Sequence, residues 1–240
     1  MNLLAPAEVA ELQAWLDDVQ WWPAGSHVWG HYAEAAADGP VVSRTENVSA
    51  CHPGIAALVE GRLRDLATEL LGAPAVAFKD KVNYKHPGGA GFSPHQDLPA
   101  YPGVERVVSL LVAVDECSET SGCLWLAPPA EGVLPTDDRG VLLESVTRDL
   151  VWSPAVLGAG DVAVIDGLAP HHSEANRSDR PRRVLIASYA PVAEGYDRAT
   201  YYGARREVMD AVGEPRISTL GDFEGTHVLP DAVAEVHCTH

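Results

Sequence analysis

His95 and Asp97 stand two apart at the end of residues 83–97, NYKHPGGAGFSPHQD, and a pair of histidines, His171 and His172, follows far downstream in APHHS. In an extended backbone, residues two apart point to the same side. His95 and Asp97 can therefore present an imidazole and a carboxylate to one ion. The third ligand must come from another strand, and His171 follows the apolar run DVAVID. Two imidazoles and one carboxylate suit a borderline divalent ion such as Fe(II). They leave three coordination positions for a cosubstrate and O2. A His-x-Asp triplet alone is weak evidence, because a turn with a surface histidine reads the same way.

The distal stretch HHSEANRSDRPRR sharpens the reading. It sets a serine two residues past His171, an asparagine five past it, and Arg182 and Arg183 eleven and twelve past it. An arginine one strand-length from a metal histidine can clamp a carboxylate through two parallel hydrogen bonds. Arg182 and Arg183 alternate faces in a strand, so only one can point inward.

Lysine use is uneven. The chain has 17 basic residues, yet its only lysines are Lys79, Lys81 and Lys85, all within seven positions just before the His-x-Asp stretch. Lys79, Lys81, Asn83 and Lys85 share one face of a regular strand, with Val82 and Tyr84 on the other. A solvated edge strand guarded by lysines is one reading. The other is a polar inner wall that meets the cosubstrate and an anionic substrate, since an inward ammonium without a partner costs several kcal/mol.

The elements that must hold these groups are legible in part. Residues 6–20 carry apolar positions at helical spacing, with Pro6 suited to the first turn. Residues 53–71 form the strongest helical pattern, started by Pro53 and stopped by Gly72. Residues 21–50 lack a period and read as a long loop or weak hairpin. From residue 74 the pattern turns to short Val-rich runs, with candidate strands at 76–86, 105–115, 122–127, 140–146, 149–153, 161–166 and 183–190. Helices first and short strands afterwards predict a mainly β fold, a jelly roll buttressed by N-terminal helices. One domain over 1–240 is expected: a helical part at 1–72, a jelly-roll core at 74–190 and a helical or irregular tail at 191–240, with a short helix within 192–212.

The chain has 240 residues and a net charge of −17. The arginines are scattered, which argues against nucleic acid or an anionic membrane as partner. No apolar run approaches the roughly 20 residues of a membrane span. The opening MNLLAPAEVAELQ lacks the basic-then-apolar pattern of a secretion signal, so a cytoplasmic location is expected. The four cysteines form no CxxC pair and are expected as reduced, mostly buried thiols.

From about Phe78 to Tyr189 the sequence resembles the phytanoyl-CoA dioxygenase-like family of Fe(II)/2-oxoglutarate oxygenases. FKDKVNYK, the Gly-rich approach to HQD, RVVSLLVAVDE, SGCLWLAP, LGAGDVAVIDG and HHSEANRSDRPRR carry the resemblance, in the family's order. It implies a double-stranded β-helix, with Fe(II) on His95, Asp97 and His171. It implies that Arg182 holds the far carboxylate of 2-oxoglutarate, with Ser173 and Asn83 near that cosubstrate. The family spacing His-x-Ser-x-x-Asn favours His171 over His172, and Pro181 with the eleven-residue interval favours Arg182 over Arg183. The retained Asp97 implies oxygenation rather than chlorination. Where the family often has Pro-Gly-Ser-His, this chain has Pro128-Pro129-Ala130, and no functional residue is carried onto that turn.

The resemblance further implies a hydroxylase that consumes O2 and 2-oxoglutarate and releases succinate and CO2, with ascorbate as an activator in vitro. The stretch KVNYKHPGGAGFSPHQD also resembles the branch that hydroxylates small phosphonates such as 2-aminoethylphosphonate. A small polar or anionic substrate suits Lys79, Lys81 and Lys85. A larger apolar natural-product scaffold is the rival, with Tyr101, Trp125, Trp152, Tyr201 and Tyr202 as candidate wall. A cupin-like binding protein without redox turnover would keep the three metal ligands and need no Arg182; a zinc hydrolase would use the same three ligands to activate water. Candidate lids are 21–50 and 192–212. The HCTH ending, with His237 and His240, reads as a tail.

Overall fold

The computed structural model describes residues 2–23, 28, 30–212 and 220–228, apart from the side chains of 208–212. Cys238, His237 and His240 lie outside the described residues. In chain order the elements are helix α1 (Pro6–Val19), strands β1 (Gly30–Ala36) and β2 (Gly39–Glu46), and helices α2 (Pro53–Leu58) and α3 (Arg64–Leu71). Next come β3 (Ala75–Lys85), β4 (Phe92–His95), β5 (Val108–Ala113), β6 (Leu124–Leu126), α4 (Glu144–Thr147), β7 (Ser153–Pro154), β8 (Val162–Asp166), β9 (His171–Ser173), β10 (Arg182–Pro191), α5 (Arg198–Val212) and β11 (His227–Val228).

The strands form two antiparallel sheets. The large one runs β11-β1-β2-β3-β10-β5-β8 and the small one β4-β9-β6-β7. One face of the large sheet meets the helices. Val82 and Tyr84 of β3, Leu110 and Val112 of β5, and Leu185 and Ala187 of β10 are buried against Leu12 and Leu16 of α1 and Ile55 of α2. Alternate residues of the same strands, Lys81, Asn83 and Lys85, Leu111, and Arg182, Val184 and Ile186, line a cavity on the other face. Period-2 alternation thus builds an apolar floor and a polar wall from one set of strands. Among the described residues no helix is long and apolar enough to cross a membrane.

β3 lies between β2 and β10. That removes the edge-strand reading of its lysines. The reason is the 21–50 segment, which forms the hairpin β1–β2 and pairs with β3 through Arg44↔Asn83 and Glu46↔Lys81. The predicted 53–71 helix is present but contains a π-type turn at Val59–Leu63, where Gly61 takes a non-helical conformation. The predicted strand 140–146 is a turn followed by α4. The Asp137 carboxylate accepts the N–H groups of Arg139 and Val141, both at 2.9 Å, and this local bonding displaces a ladder. The 149–153 strand shrinks to the two residues of β7. Cys117 and Cys123 are free and buried, whereas Cys51 is disulfide-bonded, against the expectation of a reduced thiol.

The fully buried Asp80 ties the two ends of the chain to β3. It accepts the Ser49 hydroxyl at 2.6 Å and the Ser49 N–H at 3.1 Å, and pairs with Arg198 of α5 at 2.5 Å. Asp80→Ala removes three bonds and leaves the half-buried Arg198 guanidinium only Asn47 and a longer pair with Glu60. Urea denaturation is expected to show a loss of about 3 kcal/mol.

Candidate metal and cosubstrate site

β4 and β9 pair with His95 directly opposite His171. This register brings the two imidazole centroids to 4.3 Å. Asp97 leaves the end of β4 and begins a 3-10 turn over Leu98–Ala100. Its Oδ2 lies 3.9 Å from His171 Nε2. One ligand atom from each of His95, Asp97 and His171 lies within 4.8 Å of the others.

The outer ring nitrogens are already committed. Nδ1 of His95 is 2.7 Å from the Ser93 carbonyl, and Nδ1 of His171 is 3.0 Å from the Ala169 carbonyl. A carbonyl oxygen only accepts, so each Nδ1 carries a proton and each Nε2 is the nitrogen left to bind a metal. Burial and the neighbouring His171 push the His95 pKa down to about 3, so it stays neutral near pH 7. Burial opposes ionisation of Asp97, but His171, Lys79 and Lys81 outweigh it and hold the carboxyl below its usual range. Two imidazole nitrogens and one carboxylate gathered within 4.8 Å fit Fe(II) with open positions.

Gln96 points away from the trio and pins the motif. It is buried, donates to the carbonyls of Leu168 at 2.7 Å and Gly132 at 3.2 Å, and accepts the Leu134 N–H at 2.8 Å. The 220–228 segment crosses behind His95. Gly221, at φ +74°, sits so close that a Cβ would come within 2.9 Å of the imidazole. Neither residue carries a chemical signal in the sequence.

At the other end of the cavity, Arg182 faces inward from β10 opposite Lys85. It donates to the Gly122 carbonyl, and its buried Nε has no partner. Lys85 donates to Ser173 Oγ at 2.9 Å and also to the carbonyl of Glu174. Burial and the adjacent Arg182 lower the Lys85 pKa to about 7. Arg183 points outward and pairs with Asp115 at 2.8 Å and Asp17 at 2.5 Å. Asn176 holds the loop between the two functional stretches by donating to the carbonyls of Lys85 at 2.9 Å and Arg180 at 2.7 Å. An orphaned, buried guanidinium N–H in a cavity that also holds the metal trio fits a dicarboxylate that bridges the two.

All three lysines line the cavity, with Asn83 and Ser173. Lys79 donates to Tyr101 Oη at 2.9 Å. Tyr101 itself does not line the cavity; it is packed with Phe78, Tyr196 and Tyr201 in a separate core cluster. Trp125 does not line it either. On β6 the residue facing the cavity is Leu124, and Trp125 lies on the opposite side, stacked on His172 with Trp152 edge-on to the same ring. His172 is thereby held between two indoles, while His171 joins the trio. Residues not anticipated at the cavity are Glu34, Ser43 and Arg44 from the hairpin and Leu220 and Phe223 from the tail. The only sequence trace of Arg44 is the alternation Arg44-x-Glu46 inside VVSRTE. The interior volume of the cavity is about 80 Å³.

Known proteins place this geometry. Residues 1–184 match the family model described as phytanoyl-CoA dioxygenase (PhyH). The chain is 36% identical over 232 residues to a methylphosphonate hydroxylase from Gimesia maris, covering 93% of this chain and 89% of that protein. It is 34% identical to a 2-aminoethylphosphonate dioxygenase from an uncultured bacterium, covering 86% of this chain and 81% of the relative. Among solved structures, AviO1 from Streptomyces viridochromogenes superimposes with a TM-score of 0.66 at 25% identity, covering 80% of this chain and 88% of that one. The double-stranded β-helix, the two-histidine, one-carboxylate cluster and these matches agree: the chain belongs to the phytanoyl-CoA dioxygenase (PhyH) family and is an Fe(II)- and 2-oxoglutarate-dependent dioxygenase.

Proposed function

We propose that the protein hydroxylates a C–H bond of a small phosphonate. The observation that carries this reading is the charge of the cavity wall. Arg44, Lys79, Lys81, Lys85 and Arg182 line it against only Glu34 and Asp97, in a chain of net charge −17, and the crowding of these basic groups lowers the Lys81 and Lys85 amines in the absence of an anion. One dicarboxylate cosubstrate accounts for part of that excess, and a phosphonate dianion suits the remainder. The names of the two relatives support the same class.

When bound, Fe(II) and 2-oxoglutarate together supply the oxygen chemistry: one atom of O2 enters succinate as CO2 leaves, and the other enters the C–H bond. The chain supplies the rest. The Ser93 and Ala169 carbonyls accept Nδ1–H of His95 and His171 and fix both rings so that their Nε2 atoms are left for the metal. Asp97 is kept ionised beside them. Arg182 receives the far carboxylate, and Lys85 and Ser173 brace that end. Phe92 and Phe223, whose rings pack 5.1 Å apart, help shield the mouth from water. A hydrolase or a plain binding protein would find no use for Arg182.

Aerobic incubation with Fe(II), ascorbate and 2-oxoglutarate tests the reading, with succinate and phosphorus NMR followed together. Methylphosphonate or 2-aminoethylphosphonate is expected to disappear in step with succinate, one for one, and to give an α-hydroxylated product. Succinate formation that neither phosphonate accelerates, with both left intact, overturns it.

A further inference from the structure

Two cationic donors in the cavity wait for an anion, and they lie at different ends. Arg182 Nε is buried and unpartnered opposite Lys85. The Lys81 ammonium makes no hydrogen bond or close ion pair among the described residues, although it lines the same cavity. Four positions of β3 separate Lys81 from Lys85, roughly 13 Å along a strand. A 2-oxoglutarate held by Arg182 through its far carboxylate would have its other end free for the metal trio. Lys81 also acts on Asp97 and His95, so that end would offset part of its charge, but Lys79, Lys81 and Arg44 crowd one another there, and the wall has room for a second anion.

Arg44 stands beside Lys81 on the neighbouring strand, and its guanidinium is held in place. Its Nε donates to Asn83 Oδ1 at 3.1 Å, its Nη1 lies 3.4 Å from Glu46, and it covers the Phe92 ring at 5.0 Å. Glu46 is itself fixed by Arg205 at 3.0 Å. A braced planar fork beside a lysine amine that burial, Lys79 and Arg44 push well below its ordinary pKa matches a tetrahedral oxyanion, which would restore the amine's charge. The fork supplies direction and the ammonium a point charge. Lys79 is less available, because it is committed to Tyr101.

We propose that Arg44 and Lys81 form the subsite for the substrate's phosphonate group, distinct from the Arg182 end that takes the cosubstrate. The identity of the anion rests on the phosphonate reading above; the existence of a second anion site does not.

Calorimetry on the anaerobic protein loaded with Fe(II) and 2-oxoglutarate tests it, with methylphosphonate and inorganic phosphate as probes. Lys81→Met and Arg44→Met are each expected to weaken both probes about 10- to 100-fold, the range for a charge-assisted bond. Their 2-oxoglutarate affinity should stay within threefold of wild type. Lys81→Arg should keep most of the probe affinity. In the ligand-free protein Lys81→Met removes a buried amine crowded by the charges of Lys79 and Arg44, so Tm should rise by about 2–4 °C. This readout also shows that the variant is folded. Unchanged probe binding in both Met variants overturns the subsite. So does a loss of 2-oxoglutarate affinity in Lys81→Met, which would assign Lys81 to the cosubstrate. If phosphate binds in a Lys81-dependent way and no phosphonate is ever consumed, the subsite stands and the phosphonate reading fails. If phosphonates are consumed equally well by both variants, the reading stands and the subsite fails.

Discussion

Asp97→Ala is expected to abolish turnover, lowering succinate formation by on the order of 10³-fold or more, equivalent to about 4 kcal/mol. The side chain is the sole anion of the metal trio. Its loss leaves two imidazoles and no carboxylate beside Lys79, whose positive charge repels a divalent cation. Bound iron per chain after anaerobic reconstitution should fall with the activity. His172→Ala is the matched control. That ring lies 4.6 Å from Trp152 and 6.2 Å from Trp125, outside the trio, so the variant should keep its iron. Iron retained at full occupancy by Asp97→Ala would place the metal elsewhere.

Arg182→Met is expected to raise the dissociation constant for 2-oxoglutarate by about 30- to 150-fold, the worth of a two-pronged charge-assisted contact. Iron binding should be unaffected, because Arg182 lies at the far end of the cavity from His95 and Asp97. Saturating cosubstrate should restore much of the rate, which separates a binding role from a chemical one. Arg183→Met should leave 2-oxoglutarate affinity alone. Its cost is structural, because it breaks the tie from β10 through Asp115 and Asp17 to helix α1. A variant at Arg183 that loses cosubstrate while Arg182→Met keeps it would reverse the assignment of the two arginines.

Much of the site was legible because its residues obey short-range rules. His95 and Asp97 share a side by strand alternation, and the split between Arg182 and Arg183 follows from the same period. The lysines of β3 face one way for that reason too, but whether that face was solvent or cavity depended on what lay beside β3. The answer came from the hairpin at residues 30–46, whose buried Arg44 and Glu46 look like ordinary loop charges until their partners Asn83 and Arg205 are known. Gln96 and Gly221 were invisible for a related reason: each acts through contacts made 36 to 126 positions away in the chain. The face of Trp125 could not be read because β6 has only three residues, too few for a period to orient them. The 140–146 run failed because Asp137 captured backbone N–H groups that a strand would have needed.

The most direct test is optical. Under anaerobic conditions Fe(II) and 2-oxoglutarate are added to the protein and the visible spectrum is recorded for the weak metal-to-ligand band of a cosubstrate chelated on iron. Wild type should develop the band, Asp97→Ala should not, and Arg182→Met should develop it only at much higher 2-oxoglutarate. No band in wild type, or an undiminished band in Asp97→Ala, would contradict an iron centre on His95, Asp97 and His171 that binds 2-oxoglutarate.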